Sequence, residues 1–322
     1  MAMMSRRAVL AALAASGAAP GHAALPDGPV RLVVPAPPGA FNDAFARLLA
    51  DRLAPALGQP CVVDNRPGAG GMIGTREVMQ ARPDGRTLGL GNTATLAVNP
   101  TVFAAQNFDP LRELAPIARC ARIMTVLCAA PSLGVSTLAG LIAAAKARPG
   151  VINYGNPGVG SSPHLMFERL KLAAGIDMTG VPYRGSAPVV TALLAGEVPL
   201  AFEGVGTMLQ HIRAGTVKPL AVSAGERHPD LPQVPTLAEA GVAGLDMAIW
   251  FGVVAPAGVQ AAMQADLSRA VLGVLGTPDA AAQIARLGGD PWPGDAPTFA
   301  ALIQDEQARW GAAVRAAGVT PG

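Results

Sequence analysis

Reactive side chains are scarce in this 322-residue chain, which has four histidines, three cysteines, two tyrosines and only 14% charged residues. Nucleophilic catalysis needs an activated nucleophile with a base beside it. Beyond His22 the only imidazoles are His164, His211 and His228, and no Gly-x-Ser-x-Gly elbow accompanies them. These histidines are scattered, no pair has helical ligand spacing and no Cys-x-x-Cys occurs, so the sequence offers no familiar metal site. Excess charge is lacking as well: the net is +2, and Arg6 and Arg7 supply it at the extreme N-terminus. The near-neutral remainder argues against nucleic acid or an anionic membrane surface as partner.

Long apolar runs are missing, and the N-terminal one, Leu10 to Ala19, is too short to cross a bilayer. It follows Arg6-Arg7 and precedes the small residues of Gly21-His22-Ala23, so residues 1–23 read as a cleaved export signal. Ser5-Arg6-Arg7-Ala8-Val9-Leu10 resembles the twin-arginine consensus, with ordinary secretion as the alternative route. No Cys stands at the cleavage point, so no lipid anchor is indicated, and a soluble, monomeric periplasmic protein is expected. An odd number of cysteines leaves at least one unpaired even in an oxidising compartment. Cys120 and Cys128 lie on one apolar run, where an extended strand holds them too far apart to bond; buried free thiols are expected.

What the chain has in quantity is small and apolar residues, with 51% hydrophobic residues, 38 glycines and 30 prolines. Roughly 300 mature residues exceed what one hydrophobic core usually serves, which predicts two domains. Short apolar runs alternate with helical patterns: Val30 to Val34, then a helix with Phe45, Leu48, Leu49 and Leu53 on one face, then Cys61 to Asp64, a helix from about Ile73, and Thr87 to Gly91. After the apolar run Ile117 to Ala130 the pattern resumes, with strands expected at Val151 to Tyr154, Met178 to Tyr183, Val198 to Phe202 and Lys218 to Val222. A second extended segment, Ala248 to Ala255, leads to helices around Met263 to Leu275, Ala280 to Leu287 and Thr298 to Ala316, expected to pack on the first lobe. Strands alternating with helices give an α/β protein with two doubly wound lobes and a two-segment hinge, its crevice at the carboxyl ends of the strands. The boundaries predicted are 24–124 with 246–322 for the first lobe and 125–245 for the second.

Gly68-Ala69-Gly70-Gly71-Met72-Ile73-Gly74 looks superficially like a dinucleotide fingerprint, but it follows the second strand, and the third strand ends without the acidic residue a ribose requires. Gly158-Val159-Gly160-Ser161-Ser162 lacks the lysine of a phosphate loop. No cofactor is therefore implied. Two loops between a strand and a helix remain, Pro37 to Asp43 and Asn156 to Ser162 ahead of His164. Helix N-termini present unpaired amides and partial positive charge, so two of them across a cleft can hold a small carboxylate without lysine or arginine. Capping of their own helices by Asn42, Asp43, Ser161 and Ser162 is the competing reading.

These loops carry a resemblance that extends over the mature chain. Val33 to Gly39, Val63-Asp64-Asn65-Arg66-Pro67-Gly68-Ala69-Gly70-Gly71, Pro83 to Leu88, Tyr183-Arg184-Gly185-Ser186-Ala187-Pro188, Val234 to Gly241 and Trp250 to Gly258 occur in one order. In these motifs the sequence resembles the Bug family, the substrate-binding receptors of tripartite tricarboxylate transporters. That resemblance implies a type II periplasmic binding fold, no enzymatic activity, capture of a carboxylated metabolite by loop amides and bridging waters, and a membrane permease or a sensor as partner. An exported enzyme acting on a carboxylate is the rival.

By position, the resemblance implies ligand contacts from Ala40, Phe41, Asn42 and Asp43 and from Asn92 and Thr93 in the first lobe. From the second lobe it implies Ser161, Ser162 and His164, with Tyr183 nearby. The chain departs from the family pattern in its first loop, where Ala40 and Phe41 replace smaller residues, and at Pro157, which removes an amide. Glu203 stands where the family commonly has aspartate. An acidic group there suits an amino or hydroxyl group on the ligand, and capping the next helix or meeting solvent is the alternative.

Overall fold

The computed structural model describes residues 27–39, 41–158 and 160–319; residues 1–23, read as an export signal, and Ala40 lie outside them. The chain begins with β1 (Val30–Val34), α1 (Phe41–Leu57), β2 (Cys61–Asn65), α2 (Met72–Met79) and β3 (Thr87–Asn92). Next come β4 (Leu114–Ile123), β5 (Thr125–Ala129), α3 (Leu138–Ala147), β6 (Asn153–Asn156), α4 (Ser162–Ala174), β7 (Thr179–Pro182) and α5 (Ser186–Ala195). The remainder runs β8 (Leu200–Gly204), α6 (Val205–Arg213), β9 (Lys218–Val222), β10 (Ile249–Pro256), α7 (Ala261–Leu275), α8 (Pro278–Arg286), β11 (Asp290–Gly294) and α9 (Ala296–Ala316).

The strands form two sheets, ordered β11-β4-β10-β3-β1-β2 and β7-β6-β8-β5-β9. In the first, β1 is parallel to β2 and β3, as strand-helix-strand crossovers require. β10 returns antiparallel between β3 and β4. In the second, β6 is parallel to β7 and β8, while β5 enters antiparallel between β8 and β9. Both sheets are thus mixed, each wound by parallel crossovers and receiving an antiparallel strand that arrives from the other sheet's side of the chain.

The face predicted for α1 is the one it buries: Phe45, Leu48, Leu49 and Leu53 pack with Leu32 and Leu90 of the sheet and with Leu267 and Val271 of α7. A second cluster continues from Val33 and Val98 through Trp250, Phe299 and Trp310 to Phe167 and Phe202 in the other lobe. The two sheets therefore share apolar packing at the hinge. Arg169 of α4 adds to this, with its guanidinium 4.8 Å from the ring of Trp310 on α9. The last helix thus touches the second lobe as well as the first.

The chain passes between the sheets twice. At Met124 it leaves β4 for β5, so the apolar run Ile117 to Ala130 is two strands in two sheets. It returns before β10. Ser223 ties the crossings together: its hydroxyl lies 2.8 Å from that of Thr125, its amide donates to the Thr125 carbonyl at 2.8 Å, and its carbonyl accepts from Met247 at 2.8 Å. Cys120 and Cys128 fall in different sheets, and Cys61, Cys120 and Cys128 are all free. Among the described residues, no helix is long and apolar enough to cross a membrane.

Candidate functional site

In the first sheet, the neighbours β1 and β3 end at Val34 and Asn92, and the loop from Pro35 leads directly into α1. The glycines read as a false dinucleotide motif support this loop from behind. A Cβ on Gly74 would lie 2.8 Å from the Arg66 carbonyl oxygen and 3.0 Å from Cα of Pro35, and one on Gly71 would lie 3.2 Å from the Pro35 carbonyl oxygen. Only glycine permits the start of α2 to approach the loop so closely.

Asp43 fixes the loop from within. Its buried carboxylate accepts from the Gly39 amide at 2.9 Å and pairs with Arg47 at 2.9 Å. The Gly39 amide, then Arg47, holds this carboxyl below the usual carboxylate range. Asp43 is thereby an ionised brace at the first turn of α1, which favours negative charge. Phe41 turns to the apolar side, its ring 4.7 Å from that of Phe251 and 5.7 Å from that of Phe45.

Asn92 and Thr93 are also engaged. The Asn92 side-chain oxygen accepts from the Thr95 amide at 3.0 Å while the Thr95 hydroxyl accepts from the Asn92 amide at 3.0 Å. The fully buried Thr93 hydroxyl accepts from the Trp250 amide at 2.9 Å, which anchors β10 beside β3. Both residues sit where the sequence placed them, at the end of the third strand, and both shape the backbone there.

In the second sheet, the parallel strands β7, β6 and β8 end at Pro182, Asn156 and Gly204. The Asn156 side-chain oxygen accepts from Gly158 at 3.0 Å, closing a tight turn before α4. Ser161 caps α4, accepting from the His164 amide at 3.4 Å, and Ser162 is the first helical residue. His164 accepts at Nδ1 from the Gly160 amide at 3.1 Å. Burial pushes its pKa down, so the ring is neutral with its proton on Nε2, a donor without charge. Tyr183 joins this group through its amide, which donates to the Asn156 carbonyl at 2.8 Å.

Glu203 sits one residue from the end of β8 and is almost wholly buried, at 4% exposure. It lies opposite Val126 of β5, so the two share a sheet face with Cys128, Ala201 and the apolar residues of α5 and α6. Burial raises its pKa to about 7, with the Ser186 hydroxyl at the start of α5 opposing the shift. Its Oε1 has no hydrogen-bond partner among the described residues. Sequence reading missed Ser186. Its signal was present: a serine behind Gly185 where β7 gives way to a helix.

The two lobes approach one another beside Phe41. A Cβ on Gly206, in the first turn of α6, would lie 3.0 Å from Cα of Gly288, beyond α8 in the first lobe. A Cβ on the adjacent Gly289 would lie 2.7 Å from the Phe41 ring. Phe41 and the junction carrying Glu203 are therefore close neighbours, bridged by two glycines. The structure groups Phe41, Asn42, Asp43, Asn92 and Thr93 at one sheet's carboxyl edge and Ser161, Ser162, His164, Tyr183 and Glu203 at the other's. Among the described residues, no group of three or more His, Cys, Asp or Glu is placed to hold a metal ion.

Chemically, the arrangement supplies neutral donors, helix N-termini and, at Glu203, a buried carboxyl oxygen with neither a hydrogen bond nor an ion pair among the described residues. The model of a family described as tripartite tricarboxylate transporter family receptor matches residues 45–319. Protein BugT of Bordetella pertussis is 36% identical over 91% of this chain and 90% of its own length. Among solved structures, R. palustris Rpa4515 with adipate is 35% identical with TM-score 0.76, covering 92% of this chain and 99% of that one. MatC (Rpa3494) from Rhodopseudomonas palustris with bound malate is 30% identical with TM-score 0.72, covering 90% and 99%.

Proposed function

The chain belongs to the tripartite tricarboxylate transporter receptor family, and on that premise we propose that it is an exported receptor that closes two lobes around a small organic acid and releases it unchanged. The observation that supports this reading is that two helices, α1 and α4, each begin at the carboxyl edge of a different sheet, with the sheets joined by a tied hinge. Backbone donors at such ends favour an anion. Micromolar affinity needs roughly 8 kcal/mol, and hydrogen bonds to a charged group contribute about 1.5–3 kcal/mol each. About five such bonds, net of ordering, suffice.

In this reading Asn42, Ser161, Ser162, the His164 Nε2 proton and the Tyr183 hydroxyl face the ligand, together with the amides that open α1. Asp43, Asn92 and Thr93 hold the loops in place, as their internal hydrogen bonds suggest. Phe41 narrows the first lobe's side. The lobes comprise residues 24–124 with 246–322 and residues 125–245, and residues 1–23 direct the chain to the periplasm, where it serves a permease or a sensor. Adipate and malate, bound by two structural relatives, set the size of acid to try first. Thermal shift and calorimetry with mono- and dicarboxylates, aromatic acids and amino acids, followed by recovery of the ligand, test the reading. A rise in melting temperature with the ligand returned intact is expected; turnover of the acid, or no response to any of them, overturns it.

A further inference from the structure

Glu203 is the one group at these carboxyl edges whose chemistry the carboxylate reading leaves unused. Its carboxyl is enclosed, yet Oε1 meets no donor among the described residues. The elements packed on this face present Val126 and Cys128 from β5, Ser186 and Val189 from α5, and Val205 and Met208 from α6. Cys128 is the other titratable group among these, and burial drives its thiol far above the range in which it ionises. No lysine, arginine or histidine acts on the carboxyl. A buried carboxylate without a countercharge has two ways out of its cost: it takes a proton, or it meets a cation. Glu203 lies three residues from Gly206, whose contact with Gly288 places this edge beside Phe41 of the opposite lobe. A cationic group on a ligand bound at this edge would supply that countercharge.

We propose that Glu203 determines specificity in the cleft, selecting a carboxylate that also carries an ammonium group over the dicarboxylate of the same length. This rests on the carboxylate reading above. The ammonium donates to Oε1 and supplies the positive charge that the chain withholds. A second carboxylate at the same place would be repelled, or would force a proton onto Glu203. The two ligand classes thus differ in the sign of proton exchange. Because Glu203 titrates at about pH 7 when the cleft is empty, an amino acid binding at pH 6 ionises it and releases protons, whereas a diacid binding at pH 8 draws protons in.

The test is calorimetry of the full mature protein in buffers of different ionisation enthalpy, with 6-aminohexanoate against adipate and 4-aminobutyrate against succinate, pairs in which an ammonium replaces the second carboxylate. In the unaltered protein the amino member of at least one pair binds about tenfold tighter or more, with proton release at pH 6. Glu203→Gln brings that ratio to within about threefold of unity, abolishes the proton release and keeps carboxylate binding. An unaltered ratio in Glu203→Gln, or tighter binding of the diacid with proton uptake by the unaltered protein, overturns the proposal while leaving the carboxylate receptor intact. The proton measurement needs no variant and decides the matter even where Glu203→Gln folds poorly. Absence of binding by all four acids while another acid of the wider panel binds overturns this inference alone; absence of binding by every acid of that panel overturns the carboxylate reading with it.

Discussion

A carboxyl group walled in by apolar side chains resists ionisation, and at Glu203 this makes stability depend on pH. Its folded value, about 7, lies above the ordinary 4.5. The stability it contributes is therefore fully present below about pH 4.5 and is lost as pH rises through about 7. Glu203→Gln removes that dependence, so urea unfolding should show the variant gaining on the parent between pH 5 and pH 8, by on the order of 3 kcal/mol at the upper end. Parallel curves for the two proteins would show that the empty cleft already satisfies the carboxylate. Asp43 behaves oppositely, since the Gly39 amide and Arg47 hold its carboxyl low. Part of this contrast was legible in the sequence, which marked both acids as candidates. Which one is braced and which is left with a bare oxygen depends on Gly39, Arg47 and Ser186, and no spacing rule connects Glu203 with Ser186.

Among the elements, the glycine-rich start of α2 places the first loop. Alanine at Gly74 puts a Cβ against backbone atoms of Arg66 and Pro35, which cannot move aside as a flexible side chain would. Overpacking of this kind costs about 1–3 kcal/mol, and the displaced Pro35 loop should weaken ligand binding beyond the loss of stability. Urea unfolding and calorimetry on Gly74→Ala check both effects; unchanged affinity would separate this turn from the site. The periodicity of α1, α7 and α9 and the strands from β1 to β3 was readable because each buries one recognisable pattern. Two features escaped it. That the run Ile117 to Ala130 makes two strands was hidden because β4 and β5 are both apolar, and a continuous run does not show where one strand ends. β11 holds Pro291 and Pro293 within five residues, a composition that argues against a strand except at a sheet edge, which is where β11 lies.

The whole molecule works as two sheets tied where the chain crosses and free to approach where the loops end. Ser223 and Thr93 secure the crossings, Arg169 rests on Trp310, and the Gly206 and Gly288 contact marks how near the lobes come. Valine at Gly206 needs no unusual backbone, yet it fills that contact and should hold the lobes apart. The expected result is a larger radius of gyration in the presence of ligand and about tenfold weaker binding, with the fold retained; wild-type values of both would remove this contact from closure. Two lobes follow from chain length and strand order. The angle between them does not, because it depends on a few contacts between distant glycines.

The central claim, that opposed backbone donors grip a carboxylate between the lobes, is tested most directly by a crystal structure of the mature protein grown with the tightest-binding acid from the calorimetric panel. The account predicts one carboxylate within hydrogen-bond distance of amides at the start of α1 or α4, with the rest of the molecule spanning toward the other loop and no lysine or arginine side chain holding it. The same acid seated outside these loops, or held chiefly by a cationic side chain, would contradict it.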